Sequence, residues 1–84
     1  MNYFTYIIQS ESTEKLYIGQ TNNIQNRLLQ HNSDISLSTK NKGPWKILFV
    51  KGFESRTEAI LPEKKLKAFK NKQRILRWIE LNSP

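Results

Sequence analysis

Two tyrosines, an arginine, a histidine and a glutamate are the residues of this chain best suited to shared chemistry. Tyr6 and Tyr17 lie eleven residues apart, Arg27 follows Tyr17 by ten, and His31 follows Arg27 by four. A phenol donates a proton or, once ionised, accepts one, and a planar guanidinium matches phosphate oxygens. An imidazole exchanges its proton near neutral pH. Glu63 sits among Lys64, Lys65 and Lys67. A carboxylate amid lysines is ordinarily a solvated ion-pair former of small energetic worth. It is also what a single hard-cation site inside a phosphate-binding surface needs. Other chemistries are excluded. One histidine and no cysteine rule out the usual zinc sites, and three glycines form neither a Walker loop nor a dinucleotide turn. No nucleophile elbow joins serine, histidine and acid.

Positioning these residues requires elements, and the pattern supplies them. Tyr3 to Gln9 is aromatic and β-branched and reads as a strand; residues 10–14 are a polar loop; Lys15 to Gly19 reads as an antiparallel partner. Thr21, Asn22 and Asn23 are N-cap candidates for a helix over Ile24–His31 with Ile24 and Leu28 inward. Arg27 and His31 then share one side, flanking that stripe at the edge of the core. Ser33 to Pro44 is a loop, and Trp45 to Lys51, the most apolar run, reads as a third and central strand. Ser55 and Glu58 have capping-box spacing and open a second helix with Ala59, Leu66 and Phe69 inward. Pro62 lies too far from the cap for a first-turn proline, which predicts a kink or a late helix start. A last helix is expected from about Lys72 to Leu81, with Ile75, Trp78 and Ile79 inward. The order β-β-α-β-α-α implies an α+β fold: a small three-stranded antiparallel sheet flanked by helices, in one domain over residues 1–84.

Charge narrows the partners. The net charge is +7 on 84 residues, and residues 43–84 hold ten of the basic side chains against four acidic ones. A polyanion partner is slightly favoured, because neutralising phosphates releases counterions, over the alternative of a merely solvated, lysine-rich helix face. No apolar run approaches the roughly 20 residues of a membrane span, and the absence of cysteine fits a cytoplasmic protein.

Taken singly, each tyrosine is better explained by strand packing. The ordered set reads differently. Phe4-Thr5-Tyr6 and Tyr17-Ile18-Gly19, then Arg27, His31, the segment GPWKILFV and the helix RTEAILPEKKLKAFK together resemble the GIY-YIG endonuclease domain. The likeness is to its small stand-alone bacterial branch and spans nearly all of the chain. The resemblance implies metal-dependent hydrolysis of phosphodiester bonds, in DNA before RNA, with a place in DNA repair or recombination. By that likeness Tyr17 activates the attacking water. Tyr6 is a supporting hydrogen-bond donor or an alternative base, and both must face one side of the sheet. Arg27 clamps the phosphate, His31 orients a tyrosine or shuttles its proton, and Glu63 holds one Mg²⁺ or Mn²⁺. Lys64, Lys67, Lys70, Lys72, Arg74 and Arg77 are candidate nucleic-acid contacts.

The departures from the family pattern are specific. Phe4 replaces the first glycine, Gln20 stands where relatives are often basic or small, and Pro62 directly precedes the metal-ligand position. The asparagine of many relatives' metal sites has candidates in Asn71 and Asn82. A catalytically weak DNA- or RNA-binding module using the basic C-terminal helices is the alternative reading. A third is a protein-interaction domain for an acidic partner. With no attached DNA-binding domain expected, the chain acts with little sequence preference, recognises a structure such as a branch or lesion, or borrows specificity from a protein partner.

Overall fold

The computed structural model describes residues 2–33 and 43–83. Its elements are β1 (Tyr3–Ser10), β2 (Leu16–Thr21), α1 (Ile24–Asn32), β3 (Trp45–Phe53), α2 (Arg56–Phe69) and α3 (Lys72–Asn82). The α+β architecture and the β-β-α-β-α-α order are those expected. Most of the expected loop between Ser33 and Pro44 lies outside the described residues.

The sheet is antiparallel throughout, with strand order β2-β1-β3. The central strand is therefore β1, and the WKILFVK run expected at the centre is an edge. The apolar run misled because two of its residues, Ile47 and Val50, lie on an open part of the sheet, 39% and 44% exposed. By contrast Thr5, Tyr6, Ile7 and Ile8 of β1 are buried on both faces, as a strand covered from both sides must be. A register shift between Ile7 and Ile8 accommodates the extra residue of β3.

Each face has its own apolar cluster. Ile7, Ile18, Phe49, Leu66 and Ile75 form one beneath α2 and α3, with Phe69, Trp78 and Ile79 against it. Tyr6, Ile8 and Trp45 form the other, with Tyr17, Ile24 and Leu28 against it. The helix stripes read from sequence are thus the ones that pack.

Local chemistry starts and stops the helices. The side chain of Asn23 accepts from the Asn26 amide, Ser55 from Glu58, and Asn71 from Gln73 and Arg74. Pro62 neither kinks α2 into two helices nor delays its start; the helix is continuous from Arg56. Its missing amide is tolerated because the inward stripe on either side, Ala59 and Leu66, is fully buried and holds the turn. Lys70 ends α2 in the left-handed region at φ 52°, and Asn71 immediately caps α3.

Candidate active site

The β1–β2 register decides which residues meet. Tyr6 stands opposite Gly19, and Ile8 opposite Tyr17. The tyrosines are therefore diagonal neighbours rather than directly opposed. The even offset keeps both on the α1 face, with ring centroids 6.4 Å apart.

Gly19 makes room for the Tyr6 hydroxyl. A Cβ at position 19 would lie 2.6 Å from that oxygen and 2.8 Å from the ring carbon bearing it. The glycine thus permits a close approach, beyond ending a strand.

The first helix brings two further residues onto the same hydroxyl. His31 Nε2 lies 2.9 Å from the Tyr6 oxygen, and Arg27 Nε donates to that oxygen at 3.3 Å. The Tyr17 ring is 4.8 Å from the His31 ring, and Arg27 also interacts with Tyr17. Arg27 is steadied by a second hydrogen bond, Nη1 to Gln30 Oε1 at 2.9 Å. Sequence spacing placed His31 at the edge of the core, but it is fully buried. The reason is the sheet: Tyr6, Tyr17 and Trp45 enclose the imidazole, so the α1 flank is covered as well as its apolar stripe.

Electrostatics follow from this burial. Desolvation, reinforced by the Arg27 charge, lowers the His31 pKa to about 4, so the imidazole is neutral near pH 7. Burial pushes the Tyr6 hydroxyl above its ordinary pKa of 10 and outweighs the opposing pull of Arg27. Tyr6 is therefore held as a neutral phenol. Because Arg27 donates to its oxygen, the phenolic hydrogen is left for His31 Nε2, the arrangement of an imidazole protonated at Nδ1.

Glu63 lies beside this cluster but reaches it from the other face of the sheet. On a helical wheel, Glu58 and Pro62 flank the Ala59–Leu66 stripe on one side, and Glu63 and Lys67 flank it on the other. Glu58 and Pro62 line a groove with Phe49 and Phe53 of β3, so Glu63 leans toward β2. Its side chain is 16% exposed and pairs with Lys67 at 3.4 Å. It is near enough to Tyr6 for its charge to raise the phenol's pKa, as a lesser influence behind burial.

Among the described residues no group of three or more His, Cys, Asp or Glu could hold a metal. A cation here would rest on one carboxylate and on oxygens of water and phosphate, which suits Mg²⁺ or Mn²⁺. Asn71 and Asn82 are otherwise engaged: the first caps α3, and the second donates to the Trp78 carbonyl at 2.8 Å.

The basic residues do not join the cluster as a group. Lys64, Lys67, Lys70, Lys72, Arg74 and Arg77 all lie on or between α2 and α3, the helices covering the face opposite Tyr6 and His31. Lys67 is tied to Glu63, Lys72 sits 4.0 Å from Glu14, and Arg74 lies over the Phe69 ring.

One residue of the site carries no signal in the spacing. Asn32, next to His31, bonds both ways to the Trp45 backbone: Nδ2 donates to the carbonyl at 3.3 Å, and Oδ1 accepts from the amide at 2.6 Å. It fastens the end of α1 to the start of β3.

The chain is similar to known proteins in sequence and in fold. A family model described as the GIY-YIG catalytic domain matches residues 2–75. A UPF0213 protein of Oceanobacillus iheyensis is 33% identical over 66 residues, spanning 77% of this chain and 76% of that protein. A structure-specific endonuclease subunit SLX1 homolog of Giardia intestinalis is 44% identical over 55 residues, which are 61% of this chain and 15% of that much longer protein. The solution NMR structure of a UPF0213 protein from Bacillus halodurans superimposes with a TM-score of 0.61 at 24% identity, covering 98% of this chain and 86% of that one, a likeness of fold.

Proposed function

This chain belongs to the GIY-YIG family, and from that premise we propose that it is a divalent-metal-dependent endonuclease hydrolysing phosphodiester bonds in DNA. The observation that carries the reading is the single hydroxyl of Tyr6 contacted by both His31 and Arg27, beside Tyr17 and within the field of Glu63. Strand packing alone explains the tyrosines. It does not explain a buried neutral histidine and an arginine converging on one of them.

Hydrolysis requires water to add to phosphorus while the bond to the departing sugar oxygen breaks. Tyr17, less buried than Tyr6, is assigned, once ionised, to take the proton of the attacking water and so return to the neutral phenol. Arg27 is anchored by Tyr6 and Gln30 and presents its guanidinium to the phosphate, where charge builds in the transition state. His31 and Tyr6 form a fixed neutral pair that orients Arg27 and bounds the tyrosine wall. Glu63 would hold the Mg²⁺ or Mn²⁺, which when bound supplies Lewis-acid stabilisation of the phosphate and leaving oxygen. DNA is the proposed substrate ahead of RNA, and a protein partner is proposed as one source of target choice.

Incubation of the protein with supercoiled plasmid and Mn²⁺ or Mg²⁺, with an EDTA control, tests this. Cleavage is expected to need the cation and to fall about 100-fold or more in Tyr17→Phe, Arg27→Ala and Glu63→Ala. Equal cutting by all variants would show a contaminant and end the site assignment. The exposed basic side chains of α2 and α3 favour a second reading, a non-cleaving DNA- or RNA-binding module. It requires salt-sensitive binding that survives Glu63→Ala, with no cleavage at any metal concentration.

A further inference from the structure

Gln20 presents a buried side-chain oxygen with no hydrogen-bond partner, alone in that respect among the described residues. Leaving an amide oxygen buried and unpaired costs about 1–3 kcal/mol, so this one needs an explanation. Its position suggests one. Gln20 stands directly opposite Thr5 in the β1–β2 ladder, so the two side chains share a face. The Thr5 hydroxyl donates to the Ala59 carbonyl of α2, which places Gln20 on the α2 side. Glu63 lies one turn beyond Ala59 and leans toward β2, away from the β3 groove that Glu58 and Pro62 line. Gln20 and Glu63 therefore converge on the same edge of β2, adjacent to Gly19 and through it the Tyr6 hydroxyl.

An uncharged amide oxygen is a weak proton acceptor but an ordinary ligand for hard cations. Glu63 alone is a sparse site, and its carboxylate is already drawn toward Lys67. We infer that Gln20 Oε1 is a second oxygen ligand, directly or through one water, for the divalent cation held by Glu63. The inference rests on the metal role given to Glu63 under the proposed function. The β2 edge then serves both faces of the sheet, with Gly19 admitting the phenol and the next residue addressing the cation.

The test is Mn²⁺ binding to the full chain without nucleic acid, followed by electron paramagnetic resonance of the free ion. Gln20→Leu is expected to weaken Mn²⁺ affinity about tenfold, and Gln20→Glu to restore or tighten it. Glu63→Gln is expected to lose binding altogether. In the wild type, diamagnetic Mg²⁺ is expected to shift the Gln20 side-chain amide resonances, a signal that a packing role for Gln20 would not produce. Gln20→Leu is expected to fold, because it replaces an unpaired polar atom by an apolar one, and its thermal unfolding checks this. If folded Gln20→Leu binds Mn²⁺ like wild type while Glu63→Gln does not bind it, Gln20 is no ligand and Glu63 keeps its role. If wild type and Glu63→Gln bind Mn²⁺ equally, the metal role of Glu63 fails, and the inference about Gln20 falls with it.

Discussion

The Tyr6 hydroxyl is the point on which the candidate site residues converge, and its neighbours hold it by different means. Arg27 and His31 fix it by hydrogen bonds; Gly19 fixes it by leaving out a Cβ. An added methyl would lie 2.6 Å from the oxygen, a distance no relaxed contact permits, and both groups belong to a buried two-strand ladder with little freedom to part. Gly19→Ala is therefore expected to destabilise the fold by about 1–3 kcal/mol through overpacking, measured by urea denaturation. It is also expected to separate Tyr6 from His31, seen as loss of their NMR contact. Wild-type stability with the contact intact would mean that the phenol can move aside, and that Gly19 serves the strand instead.

At the scale of elements, α1 is the one that brings Arg27 and His31 to the Tyr6 hydroxyl, and it is short. It has nine residues, of which only His31 is fully buried. Its apolar stripe of Ile24 and Leu28 is half-buried, so packing by itself holds it loosely. The two hydrogen bonds between the Asn32 side chain and the Trp45 backbone substitute for that missing area. Removing both hydrogen bonds leaves the Trp45 amide, at the first residue of β3, without its side-chain acceptor. Asn32→Ala is expected to lower stability by about 1–3 kcal/mol. Amide exchange is expected to quicken most in the last turn of α1 and at Trp45. Uniform quickening across the chain would instead make Asn32 an ordinary contributor to global stability, without a local fastening role.

For the molecule as a whole, the buried histidine couples folding to pH. The unfolded imidazole titrates near 6.5, and in the fold its pKa is lowered to about 4 by burial first and Arg27 second. Between these values the unfolded chain binds the proton and the folded chain does not. The contribution is thus fully present above about pH 6.5 and is lost as pH falls toward about 4, by about 3 kcal/mol if the whole shift is realised. Thermal unfolding between pH 7 and pH 4 is expected to show this loss, and His31→Gln to remove most of the His31-dependent slope. An unchanged slope in the variant would assign the acid sensitivity to carboxylates.

Much of this was legible in the sequence. The class of fold and the order of elements follow from alternation in the strands, three-to-four spacing in the helices, and caps such as Asn23 and Ser55. These are local signals, set by which backbone each short segment can satisfy. The candidates Tyr6, Tyr17, Arg27 and His31, which the fold gathers, were also legible as a set, because their types and order along the chain are themselves the motif. Three features required the tertiary structure. The edge position of β3 was hidden because an apolar run does not reveal how many neighbours a strand has. The complete burial of His31 was hidden because its cover comes from Tyr6, Tyr17 and Trp45, brought together only by strand pairing. The placing of Gln20 beside Thr5 on the α2 side of the sheet, and of Glu63 on the flank of α2 away from the β3 groove, follows from register and helix rotation. Sequence lists which groups are available. Burial, shared faces and through-space charge are properties of distant segments in contact, and the packed chain alone decides them.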